Sequence, residues 1–256
     1  MWLLLAGSLA MAESTVCKGV SSNTVVDYSW PARLDKGYFP VRVDIENQGP
    51  EAQRFTLRFT NSYRNRVLIE QVLSLESGES REVEVLLPAF VREEPSYDLQ
   101  VILGNGNSEC FSSSLGPHEV PTGGQVALLV QHLPPEPGDL ERWISDLEIG
   151  DGQLAIVSPD QLGLSWAAYS SVDLVLVDTR AGLPSDAVLA PLMRWVRTGG
   201  MVVFRGPGVE SLAQSRSALA PYADPRFALR PTLDRQLVYG LDGFAVGGGV
   251  MVLQEE

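Results

Sequence analysis

Asp178, Arg180 and Arg205 follow two separate apolar runs of this chain, and His132 follows a third. A carboxylate, a guanidinium and an imidazole gathered at one edge could hold a small anion or polarise a carbonyl. The runs that carry them are Val126–Val130, ahead of Gln131 and His132, then Asp173–Asp178, and Met201–Phe204 ahead of Arg205; a further short run, Leu154–Val157, precedes Ser158. Continuous apolar runs of this length are what strands buried on both faces require. In a parallel sheet ligands sit beyond the carboxyl ends of the strands, and that rule nominates Gln131, His132, Ser158, Asp178, Arg180 and Arg205. Each also has a plain role open to it: Asp178 can cap a turn, Arg205 can pair with a nearby acid, and His132 can simply open a proline-rich loop.

The elements that would position them read clearly between residues 172 and 208. Val188, Leu189, Leu192, Trp195 and Val196 recur at helical spacing between two apolar runs. Pro184-Ser185-Asp186 opens that helix and Thr198-Gly199-Gly200 closes it. The unit is β-α-β, so its sheet is parallel. Further elements expected here are a helix over Asp139–Leu147, a weak helix over Val209–Tyr222, and strands between Phe227 and Gln254. Strands alternating with helices predict a doubly wound α/β domain over residues 124–256.

The first half has a different period. Val41, Val43 and Ile45 alternate with polar residues before the turn Asn47-Gln48-Gly49-Pro50, and so do Phe55, Leu57 and Phe59. Val83, Val85 and Leu87 follow the turn Glu76-Ser77-Gly78-Glu79, and Tyr97, Leu99, Val101 and Leu103 precede Gly104-Asn105-Gly106-Asn107. Short strands with one apolar face predict an all-β sandwich of immunoglobulin or fibronectin type over residues 13–117, with Ser112–Pro117 as the way out. Trp30, Tyr38 and Phe39 offer a binding surface, although packing into the core suits at least two of them better.

The 256 residues are 45% hydrophobic and 20% charged, the composition of a folded protein, and the net charge is -13. That field repels phosphate backbones and anionic lipid, so no nucleic-acid partner is expected. Met1–Ala12 is apolar and ends in Ala10-Met11-Ala12, a small-x-small pattern that suits signal-peptide cleavage and a periplasmic or otherwise extracytoplasmic protein. As a helix it would be about 18 Å long, too short to span a bilayer. A core strand or a short membrane-associated segment are the other readings of it. Cys17 and Cys110 are the only cysteines. In an oxidising compartment they would form one disulfide; in the cytosol they would be two buried thiols. No C-x-x-C or H-x-x-x-H pair suggests a metal, and no glycine-rich loop precedes a helix in a way that suggests a nucleotide or other cofactor.

From Gly124 to Gln254 the pattern resembles the class I glutamine amidotransferase-like family, in the form fused to β-sandwiches in bacterial envelope proteins. There, a strand like Asp173–Asp178 precedes a helix, and the next strand runs into a nucleophile elbow, G-x-C-x-G. Here Met201–Phe204 runs into Arg205-Gly206-Pro207-Gly208. The family's H-x-E segment follows its elbow, whereas the last histidine of this sequence is His132. The resemblance therefore implies a pseudoenzyme, since the thioester route needs a thiolate and a base. The expected function is non-enzymatic: protein interaction or ligand sensing in the envelope, with an unidentified protein partner through which membrane association could arise. The alternatives are an enzyme using Asp178, Arg205 and His132 together, and the soluble part of a membrane-anchored assembly.

Overall fold

The computed structural model describes residues 14–27, 30–33, 36–63, 66–89, 96–115, 118–120, 126–130, 153–180, 182–206, 219, 242–246 and 249–255. Met1–Ala12, Gln131, His132, the Asp139–Leu147 segment and nearly all of Val209–Tyr222 lie outside the described residues. The chain divides into two compact units, with the division between Glu119 and Val120.

The first unit is a β-sandwich. Its strands are β1 (Ser14–Lys18), β2 (Ser22–Asp27), β3 (Pro31–Arg33), β4 (Tyr38–Asn47), β5 (Gln53–Asn61), β6 (Arg66–Leu75), β7 (Ser80–Pro88), β8 (Tyr97–Leu103) and β9 (Ser108–Leu115). They form two four-stranded sheets, β1-β2-β4-β7 and β6-β5-β8-β9, with antiparallel neighbours throughout. A small sheet pairs β3 with β10 (His118–Val120). Period-two alternation produces this layering, because every second side chain must leave water. Val41, Val43, Ile45, Phe55, Leu57, Phe59, Leu99 and Val101 are all fully buried. The rings of Phe39 on β4 and Tyr97 on β8 meet across the core with centroids 5.9 Å apart. Trp30 and Phe39 are buried in that core, while Tyr38 is 38% exposed. Ser112–Leu115 is part of β9 rather than an exit loop, because β8 supplies the pairing that its serines do not advertise.

Two polar side chains tie the sandwich together. Asn47, fully buried, donates through Nδ2 to the carbonyls of Glu51 (2.9 Å), Leu75 (3.0 Å) and Glu76 (3.1 Å), and its Oδ1 accepts from the Gly49 amide at 3.0 Å. One carboxamide thus holds the turn after β4 and the end of β6 in the opposite sheet. Tyr97, at the start of β8, donates its hydroxyl to the Pro88 carbonyl at the end of β7. Burial pushes the Tyr97 phenol up to about 12.

The second unit holds a six-stranded sheet of order β12-β11-β13-β14-β16-β15. Its strands are β11 (Val126–Val130), β12 (Gln153–Val157), β13 (Leu174–Asp178), β14 (Met201–Gly206), β15 (Asp242–Val246) and β16 (Gly249–Glu255). All neighbours are parallel except β15 and β16. Every residue of β11 and β13 is buried, as a strand covered on both faces demands. Two short 3-10 segments, Pro159–Gln161 and Trp166–Ser171, lie between β12 and β13. The helix α1 (Asp186–Arg197) joins β13 to β14. No described helix is long and apolar enough to cross a membrane.

Helix α1 buries Val188, Leu189, Leu192, Met193, Trp195 and Val196. Each contributes on the order of 2 kcal/mol by leaving water. Their sum outweighs the cost of about 3 kcal/mol for Pro191, which lacks the amide hydrogen an interior position needs. At the far end the Gly199 amide donates to the Val196 carbonyl at 3.0 Å, with Gly199 at φ +119°. Gly200 then lies against the indole of Trp195, where a Cβ would come within 2.4 Å of the ring.

Replacing Asn47 by Ala strands three carbonyls near the sheet ends and should cost about 3 kcal/mol in urea unfolding. Asp at this position, which keeps the shape but cannot donate, should not rescue it. For Tyr97, the neutral phenol belongs to the folded state and the unfolded value is about 10. Its contribution is therefore intact below about pH 10 and is lost as pH rises toward about 12. Alkaline titration followed at the phenolate absorbance should show a late-ionising tyrosine that disappears in Tyr97→Phe.

Candidate functional site

The carboxyl edge of the parallel sheet is set by strand register. Val130 pairs with both Val157 and Val177, so β11 and β12 end level, one residue short of β13, and the residues that follow them emerge along one edge. Asp178 is in register with Arg205 across β13 and β14. Paired positions of neighbouring strands project to the same face, about 4.8 Å apart across the ladder. Asp178 and Arg205 are both buried. Two of the nominated residues are thus brought side by side; Gln131 and His132 lie outside the described residues.

The Asp178 carboxylate is committed locally. Its Oδ1 accepts from the Arg180 amide at 2.9 Å and from Arg180 Nε at 3.1 Å, and its Oδ2 accepts from Nε at 2.8 Å. Arg180 Nη2 stands 2.7 Å from the same Oδ2. A carboxylate that caps its own turn and grips a guanidinium side-on has both oxygens occupied. It orders the loop that follows β13. The next residue closes the edge from the other side: Thr179 donates through its amide (2.7 Å) and its hydroxyl (3.0 Å) to the Arg205 carbonyl. Gly182, at φ +101°, then donates its amide to the Thr179 carbonyl at 2.9 Å, a tight turn open to glycine because a Cβ is strained there.

Ser158 is also engaged. Its amide and hydroxyl both donate to Gln161 Oε1 at 3.0 Å, capping the 3-10 segment that follows β12. Among the described residues no three His, Cys, Asp or Glu side chains gather into a cluster that could hold a metal ion. The ends of the apolar runs place Asp178 and Arg205 at one edge, whereas the double bond of Thr179 to the Arg205 carbonyl has no signature in spacing.

In the first unit Cys110 sits on β9 opposite Val101 and is disulfide-bonded. Cys17 lies on β1 in register with Thr24, and its side chain is outside the described residues. The register of β9 shifts between the partners of Val101 and Ile102, passing over Glu109. The Glu109 carboxylate accepts from the Ser21 amide at 2.7 Å, which links β9 to the hairpin between β1 and β2.

No family model matches the chain, and no curated protein does. Among solved structures, it is similar to a Paenibacillus cycloisomaltooligosaccharide glucanotransferase complexed with cycloisomaltoheptaose, at 9% identity and a TM-score of 0.27. That alignment covers 75% of this chain and 28% of the glucanotransferase, so the chain spans well under half of that protein's length. An exo-chitosanase of Amycolatopsis orientalis gives 13% identity and a TM-score of 0.25, over 76% of this chain and 22% of that one. A DUF3244 family protein from Bacteroides vulgatus with an immunoglobulin-like β-sandwich gives 14% identity and a TM-score of 0.21, over 38% of this chain and 98% of that one. Likeness at this level carries no argument about fold or activity.

If Asp178 serves the turn, Asp178→Ala should lower stability by about 2 kcal/mol. Arg180→Ala should cost less, because its side chain is 28% exposed whereas that of Asp178 is 6% exposed. Chemical denaturation of both variants checks the order.

Proposed function

We propose that this chain is a non-enzymatic, exported protein of the bacterial cell envelope, in which a degenerate class I glutamine amidotransferase-like unit serves protein interaction or ligand sensing. The observation that carries this reading is the end of β14. The strand that follows α1 leads into Arg205-Gly206, with Arg205 only 5% exposed, where the family places its cysteine nucleophile. A guanidinium is protonated throughout the biological pH range and cannot attack a carbonyl. The neighbouring carboxylate, Asp178, is occupied by Arg180, which speaks against an enzyme built on these two side chains.

Strand order supports the finer reading of both units. In the second, β12 lies on one side of β11 and β13-β14 on the other, the reversal found in doubly wound folds. In the first, β2-β4-β7 faces β6-β5-β8-β9, the order of a fibronectin-type member of the immunoglobulin-like sandwiches, with β1 added at an edge. A tyrosine opening the strand after the β7–β8 corner and bonding back to it is a hallmark of such sandwiches. For export, the support is the bonded state of Cys110, whose one possible partner within the sequence is Cys17.

Two measurements test the proposal. Purified protein should show no turnover of glutamine or of an activated ester; turnover that survives Arg205→Ala and vanishes in Asp178→Asn would overturn the inactive reading. Mass spectrometry of protein recovered from cells should find cleavage after Ala12 and a Cys17–Cys110 bridge. An intact Met1 together with two free thiols would remove the export claim.

A further inference from the structure

The outer face of the sheet β6-β5-β8-β9 carries a row of side chains that core formation does not use. Glu70 stands opposite Arg58, Arg58 opposite Gln100, and Gln100 opposite Phe111, one residue from each strand. Neighbouring strands are about 4.8 Å apart, so the row runs across roughly 14 Å. Leu57, Phe59, Leu99 and Val101, the residues on either side of Arg58 and Gln100, are fully buried. Alternation therefore puts the row on the solvent side.

The chemistry of the row is specific. Phe111 is 61% exposed, an aromatic ring offered to water at one end. Arg58 and Glu70 close an ion pair of 2.6 Å through Nε and one carboxylate oxygen. Among the described residues that pair leaves the two terminal guanidinium nitrogens and the second oxygen without partners, and the Gln100 carboxamide has none either. A planar cation, a carboxamide and a carboxylate thus stand in line beside an aromatic face. The ion pair cancels its own charge, while the whole chain, at -13, repels polyanions. A fitting ligand is neutral, has an apolar face for the ring, and carries adjacent groups that both donate and accept hydrogen bonds. Pyranose sugars have this combination: C–H bonds on the ring face and hydroxyls around its edge.

We propose that this row binds a neutral oligosaccharide. One sugar ring stacks on Phe111, and those beside it place their hydroxyls on Gln100, Arg58 and Glu70. Thr56 and Thr60, on the same face of β5, border the row with further hydroxyls. The site belongs wholly to the first unit and does not depend on what the second unit does.

Calorimetric titration of the full chain with cellohexaose, chitohexaose and maltohexaose tests the proposal. Saturable binding of at least one is expected, weakened tenfold or more by Phe111→Ala and several-fold by Gln100→Ala, with Leu164→Ala in the second unit as an unaffected control. Circular dichroism checks that each variant folds. The proposal fails if none of the three sugars saturates at millimolar concentration, or if the binding seen is indifferent to Phe111→Ala. It also fails if that substitution changes only the oligomeric state on size exclusion, which would make the face a contact between copies.

Discussion

The parallel pairing of β13 with β14 is the constraint on which the carboxyl edge of the second unit depends. Both strands are buried, so their backbone groups must bond to each other, and the resulting ladder leaves one register. That register puts Asp178 level with Arg205 and lets Thr179 reach the Arg205 carbonyl with two hydrogen bonds. The described residues that follow β13 are arranged around it. The carboxylate turns to Arg180, the loop tightens at Gly182, and α1 starts three residues later from Ser185.

The sandwich solves a different problem, the joining of two sheets that share no backbone ladder. Apolar burial presses them together but does not fix their ends. Asn47 supplies that with one carboxamide shared among three carbonyls and an amide, and Tyr97 supplies it at the β7–β8 corner. Because the core side needs every second side chain, the other side is free to vary. The row Glu70, Arg58, Gln100 and Phe111 occupies that freedom, and so the inferred sugar-binding face carries no share of core burial.

Much of this is legible in the chain itself. The β-α-β unit showed itself through an apolar run, a helical stripe from Val188 to Val196 and a second run, and its caps at Ser185 and Thr198 fell where proline and glycine marked them. Strands β4, β5, β7 and β8 showed themselves through alternation. The remaining strands of the first half did not, and two of them show why. In β6, Val67, Leu68 and Val72 are exposed, so aliphatic residues there follow no inside–outside rhythm, and a register shift near Phe59 breaks the alternation further. In β9, the serines read as a loop and two register irregularities interrupt the period.

What the sequence determined by itself, then, is local: the β-α-β unit with its caps, the strands whose apolar residues alternate, the turns that end them, and an arginine near the end of the strand after α1. Those facts follow from periodicity, capping and composition, which act over a few residues. Which strands pair, in what register, and which side chains share a face were decided only by the tertiary structure. Asp178 beside Arg205, Asn47 across to Leu75 and Glu76, and Phe111 in line with Gln100 join residues 27, 28, 29 and 11 positions apart. Such pairings arise from the collective satisfaction of buried backbone groups, a constraint that no short window of sequence contains.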